Sequence, residues 1–156
     1  MSNKFSYEFY SSYLSPQKIE EIYQIDLFLE GECWTKEMWT SHLSQGNSII
    51  FLFCNLNRPV GFALFASDPF FEIIDLLKIA VLPEFRRQKI AKKLLVQGVN
   101  FFQSYGAKRI MLDVKAENTA AINLYKSLKF NVISKRASYY SDGSDAYSMG
   151  LVFVDL

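Results

Sequence analysis

VLPEFRRQKIAKKLL, residues 81–95, is the stretch on which the fold turns. It closes an apolar run, IIDLLKIAVL at residues 73–82, that is too apolar to keep one face in water and is expected in the middle of a sheet. From Ile90 onward, Ile90, Ala91, Leu94, Leu95, Val99, Phe102 and Tyr105 recur at three- and four-residue steps. That spacing predicts an amphipathic helix closed by Gly106. Between strand and helix the chain places Arg86, Arg87, Lys89, Lys92 and Lys93. A basic run alone is ordinarily a solvated helix face. Here the cations sit where a strand hands over to a helix, and a helix N-terminus offers unpaired N–H groups and a partial positive charge that suit a phosphate.

Upstream, residues 5–13 read as a strand. Ser15-Pro16 is a cap-plus-proline helix start, with the pattern continuing towards Gly31. Thr35 caps a second helix to about Ser44. Residues 48–54 and 60–66 read as a hairpin around Asn55-Leu56-Asn57-Arg58-Pro59. Downstream, RIMLDVK at 109–115 is a strand with Ile110, Leu112 and Val114 on one face and Met111 and Asp113 on the other. Asn118 caps a short helix to Leu128, and strands at 130–140 and 146–154 flank Ser141-Asp142-Gly143. The order β-α-α-β-β-β-α-β-α-β-β predicts an α/β (α+β) fold: a mixed, mostly antiparallel sheet of about seven strands with about four helices on its faces.

At 156 residues the chain is expected to be one domain, residues 1–156. Half its residues are hydrophobic, with 14 Phe, 9 Tyr and 2 Trp, enough for a substantial core. Residues 1–78 carry 5 Lys/Arg against 10 Asp/Glu, and residues 79–156 carry 12 against 6. An acidic half beside a basic half points to two ligands of opposite sign, and no broad basic face for duplex nucleic acid emerges. Cys33 and Cys54 have no CxxC spacing, so neither a disulfide framework nor a metal site is expected. With no signal-like start and no apolar run of about 18–20 residues, neither export nor a membrane span is expected, and the location read from the sequence is cytoplasmic.

Ile79-Ala80-Val81-x-Pro83-x-Phe85-Arg86-Arg87-Gln88-Lys89-Ile90-Ala91 resembles the acetyl-CoA motif of the GNAT (Gcn5-related) N-acetyltransferases, a strand followed by an Arg/Gln-x-x-Gly-x-Gly/Ala pyrophosphate loop. Asn118-Thr-Ala-Ala121-Ile122-x-Leu124-Tyr125-x-x-Leu128-x-Phe130 resembles the same family's second signature. Within the family the strand 111–114 and the tail from Arg136 to Met149 are most similar to the bacterial group that acetylates a ribosomal protein's amino-terminal alanine. The likeness is strong over about residues 73–150 and faint before.

The resemblance implies acetyl transfer from acetyl-CoA to an amine. It assigns the pyrophosphate to the turn of Arg86, Arg87, Gln88, Lys89, Ile90, Ala91 and Lys92, and pantetheine to Ile79, Ala80 and Val81, with an N–H there polarising the thioester carbonyl. Asp113 falls where close relatives carry a glutamate base and is one methylene shorter, which favours a relaying water; as an ordinary structural acid it would look the same. Tyr125 matches the general acid, and is otherwise a core tyrosine. Asn118 matches a cofactor contact, which a helix N-cap role does not exclude. The resemblance puts the acceptor between the first two helices and the last hairpin, with Trp34, Tyr139 and Tyr140 as walls. His42 is read as structural or solvent-facing.

Two family glycines are lysines here, Lys89 and Lys129. A left-handed lysine carries strain of about 1 kcal/mol or more. Three functions stay open: transfer to the amino terminus of a protein such as a ribosomal protein, transfer to a small amine or lysine, or acyl-CoA binding without catalysis.

Overall fold

The structure is a computed structural model that describes residues 4–11, 13–29 and 31–154. Its elements are β1 (Phe5–Tyr10), α1 (Pro16–Asp26), α2 (Lys36–Leu43), β2 (Ser48–Asn55), β3 (Arg58–Ser67), β4 (Ile73–Val81), α3 (Ile90–Ser104), β5 (Arg109–Lys115), α4 (Thr119–Ser127), β6 (Asn131–Arg136) and β7 (Ala146–Val152), with a 3-10 turn at Pro83–Phe85. The seven strands form one mixed, mostly antiparallel sheet in the order β1-β2-β3-β4-β5-β7-β6, as the sequence pattern predicts. The chain divides into two compact units, Met1–Ala66 with Lys78–Gly98 and Ser67–Leu77 with Val99–Leu156, so β4 and α3 each contribute residues to both.

In the first unit β1, β2 and β3 pair antiparallel, from Phe5↔Asn55 to Tyr10↔Ile50 and from Asn55↔Arg58 to Ser48↔Ala66. The hairpin turn is tighter than the sequence predicts. Leu56 and Asn57 take φ of 49° and 64°, so two residues replace five, and both strands lengthen. Two successive left-handed residues match the twist of the flanking strands. Ile22, Ile25, Trp39, Ile50, Leu52, Phe62 and Leu64 pack into a core, and burying each such side chain stabilises by roughly 1.5–3 kcal/mol. A Cβ on Gly98 of α3 would lie 2.4 Å from Phe65 Cζ, so the missing side chain lets the helix sit directly on β3.

The first strand ends at Tyr10 rather than reaching Tyr13; residue 12 of that expectation lies outside the described residues. The first helix stops at Asp26 instead of running towards Gly31. Asp26 turns fully inward, where its Oδ2 accepts the N–H of Trp34 and the indole N–H of Trp39, both at 2.8 Å. Its Oδ1 faces Lys78 Nζ at 3.0 Å, an ion pair whose angle falls short of a hydrogen bond. Lys78 also donates to the Glu32 carbonyl and lies over the Trp34 ring. This buried pair folds the connection between α1 and α2 back onto the core.

In the second unit β5 pairs antiparallel with β7 and β7 with β6. β4 runs parallel to β5, but only as Ile73–Asp75 against Arg109–Met111. The expectation that β4 has no wetted face therefore fails: beyond that point Leu77 is 39% exposed, because the neighbouring strand has peeled away. The last hairpin is shorter than predicted, Asn131–Arg136 and Ala146–Val152. Ser138 adopts φ 48° and donates its N–H to Asp145 Oδ1 at 2.8 Å, which turns the chain out of β6 early.

Candidate active site

The candidate donor site in the first unit is the turn from β4 into α3. Pro83–Phe85 winds one 3-10 turn, with Phe85 N–H donating to the Leu82 carbonyl at 2.9 Å and Arg86 N–H to that of Pro83 at 3.2 Å. Arg86 then reaches back, its Nε donating to the Val81 carbonyl at 3.0 Å, which ties the turn to the end of the strand. Arg87 and Lys89 both lie in the left-handed region, at φ 61° and 60°. Lys89 therefore takes the conformation that its glycine-type position demands.

The first bond of α3 runs from Lys93 N–H to the Lys89 carbonyl at 2.9 Å. The N–H groups of Ile90, Ala91 and Lys92 precede it and have no acceptor inside the helix. Arg86, Arg87, Gln88, Lys89 and Lys92 are exposed around them. Ile90 is buried and pins the first helical residue, and a Cβ on Gly61 would stand only 3.2 Å from Ile90 Cγ2, Val81 Cγ2 and the Ala80 carbonyl. Aligned N–H donors, a helix dipole and surrounding cations fit a diphosphate. Ala80 and Val81 are buried strand residues and Ile79 is half-buried.

In the second unit, the separation of β4 from β5 opens a cleft of about 320 Å³ lined by Asp75, Leu76, Leu77, Met111, Leu112, Asp113, Arg136 and Ser148. Asp113 on β5 stands opposite Ser148 on β7, and the Ser148 hydroxyl donates to its Oδ1. Its Oδ2 lies 3.7 Å from Arg136 Nη1. Both oxygens of the carboxylate singled out from the sequence are thus engaged. Asp75 shares the cleft, and burial, then the negative charges of Asp113 and Asp68, push its pKa above the usual aspartate value.

Asp75, Arg136 and Ser148 are cleft residues that sequence reasoning did not assign. Asp75 carries a signal, a lone acid inside an apolar strand. Ser148 carries none, since only the register of β7 brings it to Asp113.

Asn118 is the N-cap of α4, its Oδ1 accepting the Ala121 N–H at 3.1 Å. Tyr125 is 6% exposed and packs against Phe130 with ring centroids 5.9 Å apart. The helix end holds both rings: Phe130 N–H bonds the Tyr125 carbonyl at 3.1 Å, and Lys129, at φ 72°, donates to that of Lys126 at 3.0 Å.

Of the three aromatics expected as acceptor walls, Trp34 is half-buried against Trp39 and His42, with centroids 5.0 and 5.1 Å away. Tyr139 is 46% exposed beneath the Arg136 guanidinium, and Tyr140 lies edge-on to it with Lys115 over its ring. His42 is structural, bonded to Ser48 Oγ at 2.7 Å, and burial lowers its pKa. Cys54 is buried, which pushes its thiol up to about 11 and removes it as a nucleophile. Among the described residues no helix is long and apolar enough to cross a membrane.

Comparison with known proteins agrees with this geometry. The family model described as acetyltransferase (GNAT) matches residues 17–130. The chain is 31% identical over 134 residues to the N-alpha-acetyltransferase daf-31 of Caenorhabditis elegans, covering 84% of this chain and 69% of that protein. It is 40% identical over 79 residues to the ribosomal protein bS18-alanine N-acetyltransferase of Escherichia coli, covering 49% of this chain and 53% of the other. The crystal structure of the ribosomal-protein-S18-alanine N-acetyltransferase from Escherichia coli superposes with a TM-score of 0.84 at 27% identity, covering 97% of this chain and 96% of that one.

Proposed function

Because this chain belongs to the GNAT acetyltransferase family, we propose that it transfers acetyl from acetyl-CoA to the amino-terminal α-amine of a protein, working as a single domain in the cytoplasm. The observation that carries the donor half is the turn at residues 86–92, where left-handed Arg87 and Lys89 lead into the free N–H groups that open α3. Those groups and the flanking cations hold the diphosphate. Ile79, Ala80 and Val81 offer main chain to the amide-rich arm. The co-substrate supplies an activated acetyl thioester, and no metal is required.

The names of the relatives support an α-amine as acceptor, and a ribosomal protein's amino-terminal alanine is the finer form of that proposal. Proton affinity favours the same choice. At reference pKa values of about 7.7–8.0, roughly a tenth of an α-amine is already neutral at pH 7, whereas a lysine near about 10.4 is neutral to well under a thousandth. Asp113 takes the ammonium's proton through a relaying water. Tyr125 protonates the departing sulfur, and Asn118 serves α4 as its cap while flanking the cofactor. Tyr139, Tyr140 and Trp34 are proposed to border the acceptor's path.

The test is incubation with acetyl-CoA and peptides beginning with Ala, Ser or Met, each beside a blocked-terminus control, reading peptide mass and free thiol. Acetyl addition to free termini alone is the expected result. Transfer only to lysine or small amines would replace the acceptor, and thermal stabilisation without thiol release would leave a binding protein. Tyr125→Phe should lower kcat while acetyl-CoA affinity stays put; an unaltered kcat removes the acid role.

A further inference from the structure

We propose that the outer edge of β1 pairs with the same edge of a second copy of this chain, across a two-fold axis at Tyr7, so that two sheets join in a weak dimer. β1 ends the strand order, and among the described residues no strand lies on its outer side. The two edges of the sheet are built differently. β6, at the other end of the order, carries a bulge between Val132 and Ser134 and finishes in Lys135 and Arg136. Bulges and cations of that kind discourage a further strand. β1 has neither, nor a proline, and keeps an unbroken register from Phe5↔Asn55 to Tyr10↔Ile50.

Its side chains suit a partner as well. Phe5, Tyr7 and Phe9 stand in a row on one face, 39%, 47% and 56% exposed. Behind them, Phe53 lies 5.3 Å from Phe5 and 5.0 Å from Tyr7 between ring centroids, and Phe51 lies 6.1 Å from Phe9. The row is thus backed by buried core rings and half open to water.

Self-pairing has one good register. A two-fold axis that continues the sheet keeps both ring rows on one face, so the residue on the axis lies opposite itself. With Tyr7 there, Phe5 of each copy lies opposite Phe9 of the other, and all six rings join three cross-strand pairs. On the other face Ser6 meets Glu8, and Lys4, one place before the strand, comes within diagonal reach of Glu8 of the second copy. Symmetry makes that contact of opposite charges twice. Moving the axis to Glu8 sets two carboxylates directly opposite each other, and moving it to Ser6 leaves Phe9 beyond the end of the facing strand. The match in charge as well as in rings selects a second copy over an unrelated strand. Covering the open half of each ring buries on the order of 100 Å². The interface therefore falls at the small end of specific ones, and the dimer depends on concentration.

The test is sedimentation velocity of the full chain from low to high micromolar concentration, beside Tyr7→Lys. Wild type should shift from the mass of one chain to that of two. Tyr7→Lys sets two cations face to face and should stay at one chain, with a melting temperature close to that of dilute wild type. The register is read by cysteines in a Cys33→Ser background, which removes the exposed thiol. Cα atoms facing each other across a ladder stand about 4.5–5.5 Å apart, within reach of a disulfide. Tyr7→Cys should therefore give a linked dimer on mild oxidation, and Ser6→Cys should not.

A wild type that stays at one chain throughout overturns the proposal and assigns the edge to a different partner. A dimer that a folded Tyr7→Lys leaves intact overturns it too. If Tyr7→Lys fails to fold, the cysteines decide: linkage at position 7 alone upholds the pairing, while linkage at neither position, at both or at 6 alone overturns it. None of these readings involves turnover, so the pairing stands or falls separately from acetyl transfer.

Discussion

Replacing Lys129 by glycine should leave this protein nearly as stable as before and more stable than replacement by alanine, although glycine ordinarily weakens whatever it replaces. Lys129 follows the last residues of α4 at φ 72°, exposed, with its N–H on the Lys126 carbonyl and the next N–H, of Phe130, on that of Tyr125. The same double bond closes α3, where Gly106 at φ 82° donates to Gln103 and Ala107 to Phe102. One helix thus ends on the residue that suits the left-handed conformation and the other on a lysine that does not.

The left-handed conformation costs a residue with a Cβ about 1–2 kcal/mol. Glycine returns about 0.5–1 kcal/mol through its freer unfolded chain, and loss of a cation at a helix C-terminus takes back about 0.3–1 kcal/mol. The three terms nearly cancel, so Lys129→Gly should change stability by no more than about 1 kcal/mol in either direction. Lys129→Ala loses the charge and keeps the strain, so glycine should exceed alanine by about 0.5–1 kcal/mol. In a chain of this length that difference separates the two melting temperatures by about 1–4 °C. Urea unfolding with a common m-value measures it directly. An alanine variant as stable as the glycine variant would put the strain at 129 at or below about 1 kcal/mol and refute the predicted difference.

Two further outcomes rest on charges. Lys78→Met should destabilise by about 3–5 kcal/mol, because it strands a fully buried Asp26 without its cation; adding Asp26→Asn should recover much of the loss, and urea unfolding of the single and double variants decides it. Bonds from the Ser144 hydroxyl and N–H, then from Lys115, hold the Asp142 carboxyl well below the usual carboxylate range. A lowered folded-state pKa gives stability that is complete above the unfolded value near about 3.9 and drains away as pH falls below it. Asp142→Asn should accordingly flatten the fall of Tm below about pH 4, and an unchanged slope would discount the turn.

The strands and helices were legible because their signals are local. Apolar spacing set α3 from Ile90, and caps at Ser15, Thr35 and Asn118 start their helices where the sequence places them. Ends were read less well wherever a distant group decided them. α1 stops at Asp26 because Trp34, Trp39 and Lys78 draw that side chain inward, and no window around residue 26 contains Lys78. β6 stops at Arg136 because Asp145, nine residues on, takes the N–H of Ser138. The backbone of the turn at residues 86–92 was legible down to the strained lysine, since a motif position that demands glycine constrains φ whatever residue occupies it.

The cleft shows the opposite limit. Asp113 drew attention because it falls within a recognisable strand, and Asp75 did not because one acid in an apolar run reads as an interruption. Sequence alone weighs the two carboxylates by position. Structure weighs them by their partners: a hydroxyl from β7 and a guanidinium from β6 occupy the first, while the ladder that would have covered the second ends at Met111. The opening of the sheet beyond Asp75 and Met111 therefore makes the cleft and leaves its two acids in different company, one beside a hydroxyl and a guanidinium, the other on the uncovered edge of β4.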